Sequence, residues 1–110
     1  MRISESDRKR NHIGTFRFGG QDVRMYGSWV QPWFVLEDVK RAAELPNTLD
    51  VPLKYRRMLN EVGWLINELG LYRVLFQADT PRAQRMADRV YEDIMPEVRR
   101  YRTMRITSHL

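Results

Sequence analysis

The sequence predicts an α+β domain in which a small antiparallel β-hairpin or sheet packs with four to five helices. Three observations carry this reading. Apolar residues alternate with period two on both sides of Gly19-Gly20, and they recur at helical spacing after Thr80-Pro81. The 110 residues, 43% of them hydrophobic, provide for one core but not two. Folding a chain of this size removes roughly 60–70% of the unfolded surface from water.

Residues 1–11 lack apolar periodicity and read as a mobile arm, in which Arg8-Lys9-Arg10 either touches phosphates or keeps the terminus solvated. The single domain is placed at 12–103. Phe16 and Phe18 alternate before the Gly19-Gly20 turn, and Val23 and Met25 alternate after it, which predicts a hairpin. Gly27 and Pro32 bound a loop, and Trp33-Phe34-Val35 forms a short strand. A helix from Glu37 to Leu45 follows, buried along Val39, Ala42 and Ala43 and ended by Pro46-Asn47; Glu37 and Asp38 suit its positive end.

Asp50-Val51-Pro52 then offers a cap with proline close behind, predicting a short helix over Leu53–Leu59. Trp64-Leu65-Ile66 reads as a strand after Gly63. Asn67 is placed to cap a helix through Leu71, Tyr72, Val74 and Leu75. Gly70 within it costs about 1 kcal/mol against alanine, which argues for close packing there. Thr80 as N-cap and Pro81 at the first position start the clearest helix, with Ala83, Met86, Ala87, Val90, Tyr91 and Ile94 on one apolar face. Pro96 is expected to break it and to start a new short helix with Val98 and Tyr101 inward. Residues 104–110 read as a tail.

Composition excludes several classes. There are no cysteines, and His12 and His109 are the only imidazoles, so no disulfide framework, thiolate metal site or catalytic thiol is expected. No apolar run is long enough for a membrane span or a secretory signal, which leads us to expect a soluble, intracellular protein without membrane partners. Nineteen basic residues against 14 acidic ones give a net charge of +5 and a pI near 10.0, which permits polyanion binding without demanding it. Only Lys9, Lys40 and Lys54 are lysines. The arginine excess suits phosphate and guanine recognition, and arginine-biased codons explain it equally well.

Taken in order, Trp33-Phe34-Val35-Leu36-Glu37-Asp38-Val39, Ile66-Asn67-Glu68-Leu69-Gly70-Leu71-Tyr72-Arg73, Pro81 with Ala83, and Pro96-Glu97-Val98-Arg99 resemble the Bro-N domain of phage antirepressors and baculovirus Bro proteins. The resemblance runs through most of the chain, and the order of the motifs is more specific than any one of them. Departures are Val90-Tyr91 where members usually carry tryptophan, Met95 for leucine before Pro96, and Leu69 for a small residue before Gly70. A core absorbs such volume changes. Many members also continue into a C-terminal domain that these 110 residues do not include.

The resemblance implies a regulatory protein of phage or viral type. Bro proteins bind nucleic acid through this domain, and phage antirepressors engage a repressor. Fold transfers more safely than either activity. Three functional readings follow: a DNA-binding transcriptional regulator, nucleoid-associated in the cytoplasm; a module that binds a repressor or another host or phage protein; and a self-associating homodimer.

For DNA, two arginine groups are candidates. Arg82, Arg85 and Arg89 lie away from the apolar stripe of the long helix, where Asp88, Glu92 and Asp93 can also pair with them. Arg99, Arg100, Arg102 and Arg105 have only Glu97 nearby. Arg73 is expected to hold Glu68 or another carboxylate within the fold. Trp33, Phe34, Trp64 and Tyr72 are assigned to the core rather than to base stacking, whereas Trp29, in a Gly-Ser-Trp-Val-Gln-Pro loop, is expected exposed as a partner-binding anchor. Asn67 and Glu68 lack a histidine, cysteine or second placed carboxylate to complete a catalytic site. No Walker loop, dinucleotide glycine pattern or HExxH is present, so neither enzyme activity nor a cofactor or metal is expected.

Overall fold

In the computed structural model, residues 12–100 are described. Five antiparallel strands, β1 (His12–Phe18), β2 (Gln21–Gly27), β3 (Pro32–Val35), β4 (Arg56–Leu59) and β5 (Gly63–Asn67), form one sheet in the order β1-β2-β3-β5-β4. Among the described residues three α-helices accompany it: α1 (Leu36–Ala43), α2 (Glu68–Ala78) and α3 (Pro81–Arg89). The expected arm (1–11) and tail (104–110) lie outside the described residues.

Gly19 and Gly20 both take positive φ, 58° and 79°, as a two-residue hairpin turn between Phe18 and Gln21 demands. Period-two alternation then sorts side chains by face. Phe16, Val23, Met25, Phe34 and Ile66 enter the main core with Val39, Ala42, Leu71, Val74, Leu75, Met86 and Val90 from the helices. Tyr26, Val35 and Leu65, with Trp33, Leu59 and Val62 beside them, form a smaller cluster on the sheet's other face. Phe34 is fully buried, while Trp33, Trp64 and Tyr72 are half-buried against the two clusters.

Three expectations need correction. Leu53–Leu59 is not a helix: a single 3-10 turn, Leu53–Tyr55, runs directly into β4, because Arg56–Leu59 pairs in register with Gly63–Ile66. That pairing across the turn overrides local propensity. The described residues accordingly hold fewer separate α-helices than the four to five expected. Second, α1 ends at Ala43 rather than Leu45. Glu44 adopts the left-handed conformation, the Leu45 N–H returns to the Lys40 carbonyl, and Leu45 is buried.

Third, Pro96 does not break the helix. One π-turn, Val90–Ile94, follows α3, the Met95 N–H reaches back to the Val90 carbonyl, and residues 95–100 continue helically. The widened turn comes just before the ring that an ordinary helical turn would crowd. Met95 and Val98 remain buried.

Two of the three predicted caps are present, whereas Asp50 makes no cap hydrogen bond ahead of Leu53–Tyr55. Asn67 Oδ1 accepts from the Gly70 N–H at 2.8 Å, and Thr80 Oγ1 accepts from the Ala83 N–H at 3.1 Å. A Cβ on Gly70 would lie 2.6 Å from Tyr55 Cβ and 2.8 Å from Ile66 Cγ1, which is the close packing its position called for. Among the described residues no helix is long and apolar enough to cross a membrane, and no cluster of histidine and carboxylate side chains is arranged to hold a metal.

Candidate nucleic-acid interface

The arginines singled out in the sequence do not form one surface. Arg82 turns inward: its Nε donates to the Ala42 carbonyl at 2.7 Å, its guanidinium reaches the Gly19 carbonyl at 3.5 Å and Glu44 at 3.9 Å, and it lies 5.7 Å from the Phe18 ring. It therefore caps the carbonyl end of α1 and ties the hairpin turn to α3. Arg85 and Arg89 are exposed one turn apart, but Arg89 pairs with Asp93 at 3.4 Å. Arg99 pairs with Glu68 at 3.8 Å and Arg100 with Glu97 at 2.6 Å. Arg102 and Arg105, like Arg8, Lys9 and Arg10, lie outside the described residues.

Trp29 is half-buried rather than exposed. It packs on the main core and lines a cavity of about 300 Å³ with Phe16, Met25, Ile94 and Val98. The exposed apolar residue of that loop is its neighbour Val30.

A different cationic group stands where the sequence suggested a helix. Lys54 and Arg73 both lie against the Tyr55 ring, at 5.1 and 5.2 Å from its centre, and Arg56 stacks 4.5 Å from the Trp64 ring centre. Arg57 is exposed on the next position of β4. Arg73 thus does not hold Glu68, which Arg99 engages instead. Among the described residues no carboxylate pairs with Lys54, Arg56, Arg57 or Arg73.

β4 is an edge strand among the described residues; Arg56 lies on the face of Ile66 and Trp64, Arg57 on the opposite face with Leu65, and Gly70 lets α2 approach Tyr55 closely enough for Arg73 to reach its ring. Charge on an edge strand also deters pairing with another chain. The Arg56 Nε–H is shielded from solvent and has no hydrogen-bond partner among the described residues. Aromatic rings hold two of these guanidiniums, those of Arg56 and Arg73, in place. Arg56-Arg57-Met58-Leu59 shows no period-two alternation, so the sequence offers only the turn from Asn60 to Gly63 ahead of Trp64-Leu65-Ile66 as a signal of this hairpin.

Comparison with known proteins gives a partial relationship. No family model matches the chain, and no solved structure matches it. Over 45 residues the chain is 40% identical to the putative Bro-N domain-containing protein 201R of Invertebrate iridescent virus 6, a match covering 41% of this chain and 11% of that protein. The chain is related to a Bro-N domain-containing viral protein through that segment, and the match spans only about a ninth of the viral protein's length.

Proposed function

We propose that the chain is a non-enzymatic regulatory domain of phage or viral type that binds duplex DNA in transcriptional control, with antirepressor-like action. The observation that carries this reading is the cationic set Lys54, Arg56, Arg57 and Arg73 on β4, the turn leading into it and α2, none of which forms an ion pair with a carboxylate among the described residues, although Asp50 shares a pocket with Arg73. Partial similarity to a viral Bro-N domain-containing protein supports the regulatory class. Phosphate contacts of this kind position a protein on the duplex and carry little base information. Arg85 is the member of the sequence-predicted set best placed to add to them, being exposed and without an ion pair among the described residues.

Fluorescence anisotropy with a labelled duplex tests the proposal. Binding at low salt is expected to weaken steeply as salt rises, and Arg57→Ala with Arg73→Ala is expected to lower affinity about tenfold and the salt slope by about two. Arg99→Ala with Arg100→Ala, which removes cations already neutralised, is expected to do less. Absence of duplex binding, or binding indifferent to the first pair, would overturn it.

A further inference from the structure

The geometry points to a second binding surface: the groove between α2 and the α3 to π-turn segment takes a peptide segment of another protein in which arginine or lysine neighbours an aliphatic or aromatic residue. On α2, Leu71, Val74 and Leu75 fill the core, yet Leu69, Tyr72 and Phe76 form another apolar stripe at i, i+3, i+7 spacing. Across from it run Gln84, Ala87, Asp88 and Tyr91. Together with Tyr72 and Phe76 these enclose a groove of about 560 Å³, a volume suited to a few side chains. Of the lining residues, Phe76 and Tyr91 are 67% and 64% exposed, and Leu69 beside them on α2 is 56% exposed, so this face meets solvent instead of completing the core.

Charge selects the occupant. Asp88 lines the groove and Glu92 follows four residues later, and among the described residues neither carboxylate has a cationic partner. Asp88 is the carboxylate that lines this groove, whereas Glu92 lines the adjoining pocket with Arg100. A cation entering here meets Asp88 and the faces of Tyr91 and Phe76, while apolar neighbours of that cation cover Tyr72 and Leu69. The same carboxylate repels a phosphate backbone. The groove and the β4 edge therefore select opposite partners, and this inference stands independently of DNA binding.

Selection of a random-peptide display library on the immobilised full chain tests the proposal. Enriched sequences are expected to place arginine or lysine within four residues of a leucine, tryptophan or phenylalanine. A synthetic peptide of the consensus is expected to lose about tenfold in affinity on Asp88→Asn and on Tyr91→Ala, and to lose binding when its basic residue becomes glutamate. All altered positions are exposed, so the fold is retained, which circular dichroism verifies. No enrichment, enrichment without basic residues, or affinity unchanged by both variants would overturn the inference. Light scattering that shows self-association abolished by Tyr91→Ala would overturn it too, by assigning the groove to a second copy of this chain.

Discussion

Arg24 and Asp38 join the sheet to α1 through a two-pronged ion pair. Arg24 Nε donates to Asp38 Oδ2 at 2.8 Å and Nη2 to Oδ1 at 3.1 Å, while the Arg24 backbone N–H also donates to Oδ2 at 3.0 Å. β2 and β3 pair only as far as Met25 with Phe34, so the carboxylate serves the first β2 amide beyond their ladder. The pairing raises the Arg24 pKa above its ordinary value, its hydrogen bond to Asp38 outweighing the effect of burial. Asp38 is only 2% exposed, yet Arg24 keeps 42% of its side-chain surface in water, which moderates the cost of separating them. Asp38→Ala is expected to destabilise the fold by about 2 kcal/mol in urea denaturation, and Asp38→Asn by less because an acceptor for the amide remains. A loss within experimental error for the alanine variant would show that the joint contributes nothing.

Gly70 sits in the first turn of α2, where alanine is ordinarily the better helix former, by up to about 1 kcal/mol. Here the added methyl would meet Tyr55, Ile66 and the capping oxygen of Asn67. Gly70→Ala is therefore expected to destabilise, by about 2 kcal/mol, and to loosen the Tyr55 platform for Lys54 and Arg73. Equal or higher thermal stability in the variant would contradict this packing.

Arg82 and Arg85 lie three residues apart and should behave oppositely. Arg82→Ala removes the bond to the Ala42 carbonyl and is expected to lower stability by about 1 to 2 kcal/mol. Arg85→Ala is expected to leave stability within about 0.5 kcal/mol and to act, if anywhere, on DNA affinity. Paired melting curves and anisotropy titrations separate the two roles; the reverse pattern would return Arg82 to the binding surface.

Tyr72 predicts an alkaline response. Burial first, and neighbouring Glu68 second, raise its pKa well above the ordinary 10.0, so the folded state keeps a proton that the unfolded state releases. This contribution is complete below pH 10.0 and is lost as pH rises through the elevated folded value. Melting temperature is expected to fall above pH 10.0, and less steeply in Tyr72→Phe. Ultraviolet titration should show the last phenolate to form disappearing in that variant; an unchanged titration would refute the assignment.

Local signals proved legible where one residue does a local job. Asn67 and Thr80 cap, Gly19-Gly20 turns, and Gly70 admits a neighbour, each as its position demanded. Arg56-Arg57-Met58-Leu59 was not legible as a strand because its partner is the segment Gly63–Ile66, and pairing across a turn outweighed the helix-start pattern before it. The same misreading hid the cationic group, since Lys54, Arg56 and Arg57 acquire their aromatic supports only when β4 docks beside β5 and α2. Arg82 was misjudged for a related reason: helical spacing placed it away from Met86, but the carbonyl that claims it lies 40 residues upstream.

The π-turn at Val90–Ile94 has the form of a single-residue insertion absorbed by a helix. Removing one residue between 91 and 94 would let the Val90 carbonyl close an ordinary turn while Ala87 and Val90 on one side, and Met95 and Val98 on the other, keep their faces to the core. Chain length is therefore adjustable at this point without a shift of register, and Tyr91, carried on the bulge, is the groove residue whose bearing such a deletion would reset.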